Sequence, residues 1–164
     1  MKEYLESERL FLKPLNIADF EFIKSLVNTK GWIEFIGDRN ICSDEDSRNY
    51  IQRIIDNENV TYWVVNLKTS KQSIGIITLI KRDYLEYHDL GFAFLPEFTK
   101  NGYAFEASNL VLDEINLSKL HHYILATTIL ENVKSIKLLK KLGFSFDKNI
   151  EQNNETLSVY SKKI

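Results

Sequence analysis

The chain has 164 residues, 44% hydrophobic and 27% charged, with a formal net charge of −2 and a pI near 6.0. That length suits a single domain over residues 1–164 with a full core, and so even a charge balance gives no support to nucleic-acid binding, which calls for a strongly basic surface. The lone Cys42 rules out an internal disulfide, the first ten residues lack the apolar core of a signal peptide, and no apolar run approaches the ~18 residues of a membrane span, so a cytoplasmic protein without membrane contact is expected.

The segment Glu8 to Lys13, ERLFLK, is β-prone and ends at Pro14. Asn16 then has the character of a helix N-cap, with Asp19 three residues on in the capping-box position. Phe20, Ile23, Leu26 and Val27 give that helix an apolar stripe. A second helix is predicted from Ser43, where SDEDS places acids in the first turn, favourable against the helix dipole. Its inner face is expected to hold Tyr50, Ile51, Ile54 and Ile55.

Three strands follow: Thr61 to Lys68, Ile74 to Lys81, and Tyr87 to Leu95. A polar turn, Thr99-Lys100-Asn101-Gly102, leads into a helical pattern at once. Residues 121–128, HHYILATT, form the next strand, Asn132 to Leu142 the last helix, and FSFDK and ETLSVYSKK a final strand pair around the turn EQNN. The order β-α-α-β-β-β-α-β-α-β-β predicts an α/β (α+β) fold, a mixed and mostly antiparallel sheet with helices on its faces.

Two features carry chemistry. A helix N-terminus leaves its first backbone N–H groups unpaired and holds roughly half a positive charge, so after a strand it can bind phosphate. Gly102 has no side chain to block a ligand there and Ala104 almost none, although the same residues also suit a plain strand-to-helix turn. The G-x-G-x-x-G and G-x-x-x-x-G-K-[ST] nucleotide motifs are absent. Gly91 sits inside the strand DLGFAFL, where glycine often marks a bulge or a close approach by ligand or backbone. Downstream, Asn132 and Ser135 stand one turn apart at a helix start, at the end of the sheet where the polar turn also lies.

With ERLFLKPLNIADF, IGIITL, DLGFAFLPEF, NGYAFEA and ENVKSIKLLKKLGF in this order over nearly the whole chain, the sequence resembles the GNAT acetyltransferase superfamily, and within it the ribosomal-protein N-terminal acetyltransferase-like branch. The resemblance implies a twisted sheet of about seven strands with about four helices. It also implies acetyl-coenzyme A as cosubstrate and no metal. The family's loop Q/R-x-x-G-x-G/A falls on Thr99, Lys100, Asn101, Gly102, Tyr103 and Ala104, with Thr99 departing from the usual Gln or Arg, and implies a pyrophosphate cradle. A family strand bulge, which opens a gap for the pantetheine arm, falls on Gly91 to Leu95, so Phe92, Ala93 and Phe94 are expected to flank that arm, with Asn132 contacting it.

The proton donor of many relatives, a tyrosine seven residues after that asparagine, is replaced by Leu139. In the ribosomal-protein branch a serine three after the asparagine is assigned the role, and Ser135 matches it. Asp89 falls where relatives carry an acid before the strand glycine and is the candidate general base. His88, His121 and His122 lack a metal-ligand pattern. The expected activity is direct attack of a primary amine on the thioester in a ternary complex, the acceptor being the α-amine of a protein or peptide. A small amine (polyamine, amino sugar or drug) and a non-catalytic acyl-coenzyme A-binding module are the alternatives, and a homodimer is compatible with the resemblance.

Overall fold

The ERLFLK segment pairs with the strand that follows the first helices, and its neighbours in sequence fold over it. The computed structural model describes residues 2–164. Strands β1 (Leu5–Glu6) and β2 (Leu10–Pro14) form a short hairpin. Asn16 caps a 3-10 turn, Ile17–Asp19, through the predicted capping box, and α1 (Phe20–Val27) continues from it. Asp19 is buried, and Lys13 Nζ lies 2.6 Å from its carboxylate.

Helix α2 (Lys30–Phe35) was not expected from the sequence. It is only six residues long, contains Gly31 and buries a single side chain, Trp32, so no apolar period announces it. Helix α3 (Asp44–Ile55) begins after Ser43 as expected, with acids in its first turn, and Ser43 and Asp46 also close a capping box there. Its inner face is corrected by one residue. Ser47 is fully buried and donates its hydroxyl to the Phe20 carbonyl (2.7 Å), whereas Ile55 is 46% exposed. Ser47, Tyr50, Ile51 and Ile54 lie on one i, i+3, i+4, i+7 stripe, and Ile55 falls just past it.

Strands β3 (Val60–Leu67), β4 (Ser73–Ile80) and β5 (Asp89–Phe94) form an antiparallel meander. Then come α4 (Tyr103–Ser118), β6 (Tyr123–Thr128), α5 (Val133–Lys141), β7 (Ser145–Gln152) and β8 (Glu155–Lys163). Asn153 and Asn154 both adopt positive φ, so they alone make the β7–β8 turn while Glu151 and Gln152 belong to β7. The eight strands run in the order β1-β2-β3-β4-β5-β6-β8-β7, one strand and one helix more than expected. Every pairing is antiparallel except β5 with β6.

Side chains on one sheet face join Trp32, Ile23, Leu26 and Ile51 of the first three helices. Those on the other face join Ala107, Val111, Ile115 and Leu139 of α4 and α5. No described helix is long and apolar enough to cross a membrane.

Candidate active site

Strands β5 and β6 meet at one register point, Asp89 opposite Leu125, where Leu125 N–H donates to the His88 carbonyl (2.9 Å). The next bond of a regular parallel ladder would take Thr127 N–H to the Leu90 carbonyl. Instead that N–H donates to Asp89 Oδ1 (2.9 Å), and the Thr127 hydroxyl donates to Oδ2 (3.1 Å). A side-chain carboxylate thus takes the place of a backbone acceptor, and the ladder stops. Beyond it the strands part. Residues 91–94 of β5 are half-exposed although β4 beside them is buried from Ile74 to Leu79. Because Leu95 N–H donates to Ile74 O (2.9 Å), strand alternation turns the backbone groups of Phe92 and Phe94 toward the gap.

The bulge expected over Gly91 to Leu95 is not there: β5 pairs with β4 without a register shift from Asp89 to Phe94. Gly91 instead makes room for a neighbour, since a Cβ there would lie 2.5 Å from Thr78 Oγ1. The Phe92 and Phe94 side chains pack against the α4–α5 core, and Ala93 faces the α1–α3 side.

Asp89 is 3% exposed. Arg82 Nε donates to its Oδ2 at 2.6 Å. Burial raises the carboxyl above the ordinary carboxylate range, opposed by the Arg82 charge and the Thr127 hydrogen bonds. Three of its roughly four lone-pair directions are taken, which leaves one for a proton.

The C-terminal ends of parallel β5 and β6 lie at the same edge of the sheet, so the residues that follow them come together. After β5, Lys100 and Gly102 both take left-handed φ values, +68° and +80°. Glu106 N–H is the first to bond back along α4, to Gly102 O (3.0 Å), so the N–H groups of Gly102, Tyr103, Ala104 and Phe105 have no acceptor within the helix. The turn is braced from outside. Arg9 Nη1 donates to Asn101 O (3.1 Å), and Arg9 Nε and the Ser7 hydroxyl donate to Glu106 (2.7 and 2.6 Å). Arg9 also lies over the Tyr103 ring, 4.6 Å from its centroid. Thr99 donates to Pro96 O (2.8 Å), which points its hydroxyl back into the preceding turn, while Lys100 is exposed.

After β6, Asn132 caps α5: its Oδ1 accepts from Ser135 N–H (3.2 Å). Its amide nitrogen and the Ser135 hydroxyl make no hydrogen bond to a described residue, and both residues are half-buried. Capping therefore leaves the asparagine an amide to offer a ligand. Leu139, at the position of the missing tyrosine, is 1% exposed in the core. Lys141 Nζ lies 4.3 Å from the Phe105 ring centroid and ties α5 to the start of α4.

The acetyltransferase (GNAT) domain model matches residues 9–145, which span both ends of this gap. The chain belongs to the GNAT acetyltransferase family. It is an N-acetyltransferase, and its sheet, parted between two parallel strands, is the family's fold. The uncharacterized N-acetyltransferase YnaD of Bacillus subtilis (strain 168) is 25% identical over 165 residues, covering 96% of this chain and 94% of its own. Two solved structures share the fold. The Salmonella typhimurium acetyltransferase that modifies the N-terminal serine of a 50S ribosomal subunit protein has a TM-score of 0.84 at 13% identity, covering 99% of both chains. RimL, a ribosomal α-N-protein acetyltransferase solved with coenzyme A, has a TM-score of 0.85 at 14% identity, covering 99% of this chain and 98% of its own.

This GNAT domain brings together the loop 99–104, Phe92 and Phe94, Asn132 and Ser135 at one edge, and sets Asp89 at the base of the gap. Sequence reasoning gave no role to Arg9, Arg82 and Thr127. Arg82 and Thr127 are seven and 38 residues from Asp89, and neither spacing has a local signature. Among the described residues no group of three or more His, Cys, Asp or Glu side chains is placed to hold a metal ion.

Proposed function

We propose that this enzyme transfers the acetyl group of acetyl-coenzyme A to the α-amine of a peptide or protein N-terminus by direct attack in a ternary complex. The observation that carries this reading is the unbonded N–H series Gly102 to Phe105 at the mouth of the gap between β5 and β6. It fits a pyrophosphate because the positive end of a 16-residue helix and bare amides converge where Gly102 offers no Cβ. The exposed backbone of Phe92 and Phe94 suits the pantetheine arm, and the Asn132 amide nitrogen suits a polar group along it.

In the reaction the amine nitrogen bonds to the thioester carbon, the C–S bond breaks, the amine loses a proton and the thiolate gains one. The Ser135 hydroxyl is assigned to the leaving sulfur. Coenzyme A's thiol, with a pKa near 8.5, needs only a hydrogen-bonding donor and not a strong acid. Asp89 is assigned to the amine proton. The route runs through the Thr127 hydroxyl, which takes the amine proton as it gives its own to Oδ2. A carboxyl raised by burial accepts a proton more readily than a surface one. An α-amine with a pKa near 8 is partly neutral at pH 7 and asks little of such a base, whereas lysine near 10.4 asks more. The two structural relatives that act on ribosomal-protein α-amines support the same acceptor class.

Acetyl-coenzyme A turnover, followed with a thiol-detecting reagent, tests this. A short peptide with a free N-terminus should be acetylated faster than the same peptide with a blocked N-terminus and a free lysine. A tenfold advantage for the lysine peptide or for a polyamine at pH 7.5 would overturn the acceptor, and absence of turnover with intact coenzyme binding would leave a binding module.

The two α5 residues should separate kinetically. Ser135→Ala is expected to lower kcat roughly tenfold or more while leaving coenzyme affinity nearly unchanged, because its partner forms only as the bond breaks. Asn132→Ala should raise the KM for acetyl-coenzyme A and cost ~1 kcal/mol of stability as a lost cap. Full turnover in Ser135→Ala, with chemistry shown to be rate-limiting, would assign the proton transfer to water.

A further inference from the structure

Arg9 meets the coenzyme loop from a distant part of the chain, and the roles above leave its charge unused. It lies just before β2, 92 residues from Asn101. Its guanidinium is held on three sides. Nε and Nη2 lie 2.7 and 2.5 Å from Glu106 Oε2, Nη1 donates to Asn101 O (3.1 Å), and the guanidinium carbon sits 4.6 Å from the Tyr103 ring centroid. A guanidinium has five N–H groups and stays charged at any working pH. Three are engaged on Glu106 and Asn101, so Nη1 and Nη2 keep one each, and no described residue accepts them.

Those two N–H groups lie beside the bare amides. A Cβ built on Gly102 would stand 3.5 Å from Arg9 Nη2, and Gly102 N–H opens the unbonded series at the start of α4. One cavity is lined by Arg9, Gly102, Phe105 and Glu106. The helix end supplies roughly half a positive charge, well short of a doubly charged pyrophosphate. Other side chains do not fill the deficit in a fixed way. Thr99 turns its hydroxyl to Pro96 O, Lys141 lies over the Phe105 ring, and Lys100 is exposed without an ion pair to a described residue. Arg9 is the cation that the fold sets in place beforehand, and a donor already fixed loses little freedom when a ligand arrives. Glu106 fixes it but also partly neutralises it.

We propose that Arg9 binds the coenzyme, donating its two unused N–H groups to the pyrophosphate across Gly102 while Glu106 holds it in position. This rests on the coenzyme reading of the loop and adds to it a residue from outside the loop.

Arg9→Gln should raise the KM for acetyl-coenzyme A about tenfold or more, with kcat at saturation within about twofold of the parent. With acetylpantetheine, which lacks the pyrophosphate, kcat/KM should match the parent's. Glu106→Gln keeps the shape of the pair without its negative charge, so coenzyme A should bind about threefold tighter. That gain should largely vanish when Arg9 is already glutamine, because the released guanidinium is its source. Should Arg9→Gln not fold, Arg9→Lys takes its place in the same comparisons, since one nitrogen cannot serve Glu106, Asn101 and the pyrophosphate together. An unchanged KM, an equal loss with acetylpantetheine, or a Glu106→Gln gain that is absent or persists without Arg9 would overturn the inference and leave the loop reading standing. A parent that binds acetyl-coenzyme A no better than acetylpantetheine would overturn both.

Discussion

Gly102→Glu is expected to weaken acetyl-coenzyme A binding by well over tenfold while the fold persists. The new carboxylate would stand among the N–H groups proposed to hold the pyrophosphate, where like charges in a partly desolvated place repel by several kcal/mol. Two other effects must be separated from this one. Gly102 sits at φ +80°, so any side chain adds roughly 1 kcal/mol of backbone strain. Its added Cβ would also lie 3.5 Å from Arg9 Nη2, which gives a glutamate a cation to approach. Arg9 is already paired with Glu106 and bonded to Asn101 O, so a second carboxylate competes for it and is not freely neutralised. Gly102→Gln carries the same bulk and strain without the charge. Calorimetry should find Gln weakened modestly and Glu at least another tenfold. A folded Glu variant that binds as well as the Gln variant would remove this loop from the coenzyme site.

Asp89→Ala should lower stability by about 3 kcal/mol and abolish measurable turnover. The substitution leaves the half-buried Arg82 guanidinium without its counter-charge and the Thr127 N–H without an acceptor. Breaking a buried ion pair from one side costs roughly 3–5 kcal/mol, and the lower figure applies because water still reaches part of Arg82. Asp89→Asn, which keeps the shape and one acceptor oxygen, should cost less than half as much yet remain inactive if the carboxylate takes the amine proton. Thermal unfolding read beside turnover separates the two roles. An Asn variant with normal kcat would leave Asp89 as a strand-positioning residue only, and an Ala variant within 0.5 kcal/mol of the parent would show that the ladder ends for another reason.

The sequence alone determined whatever depends on residues three or four apart. Asn16 with Asp19 and Ser43 with Asp46 are capping boxes whose partners lie within one turn, and both formed as their spacing required. Asn132 caps α5 for the same reason, and the small residues at Gly102 and Ala104 mark where α4 begins. The β3–β5 meander was equally legible, because apolar runs bounded by turn residues need no distant partner to declare themselves. Short range also explains the failures. Ile55 matched the apolar stripe by composition but falls one step past its edge, and the six-residue α2 is too short to show a period.

The site was decided by pairings with no local trace. Asp89 meets Thr127 across 38 residues because a parallel crossover through α4 returns β6 beside β5, and only that register turns a carboxylate into the end of a ladder. Gly91 was visible as an anomaly, but its cause, the Thr78 hydroxyl on the next strand, was not. Caps and strands follow from the energy of one turn or one run, whereas a site follows from how those pieces are laid against each other, and that is fixed only when the whole core closes.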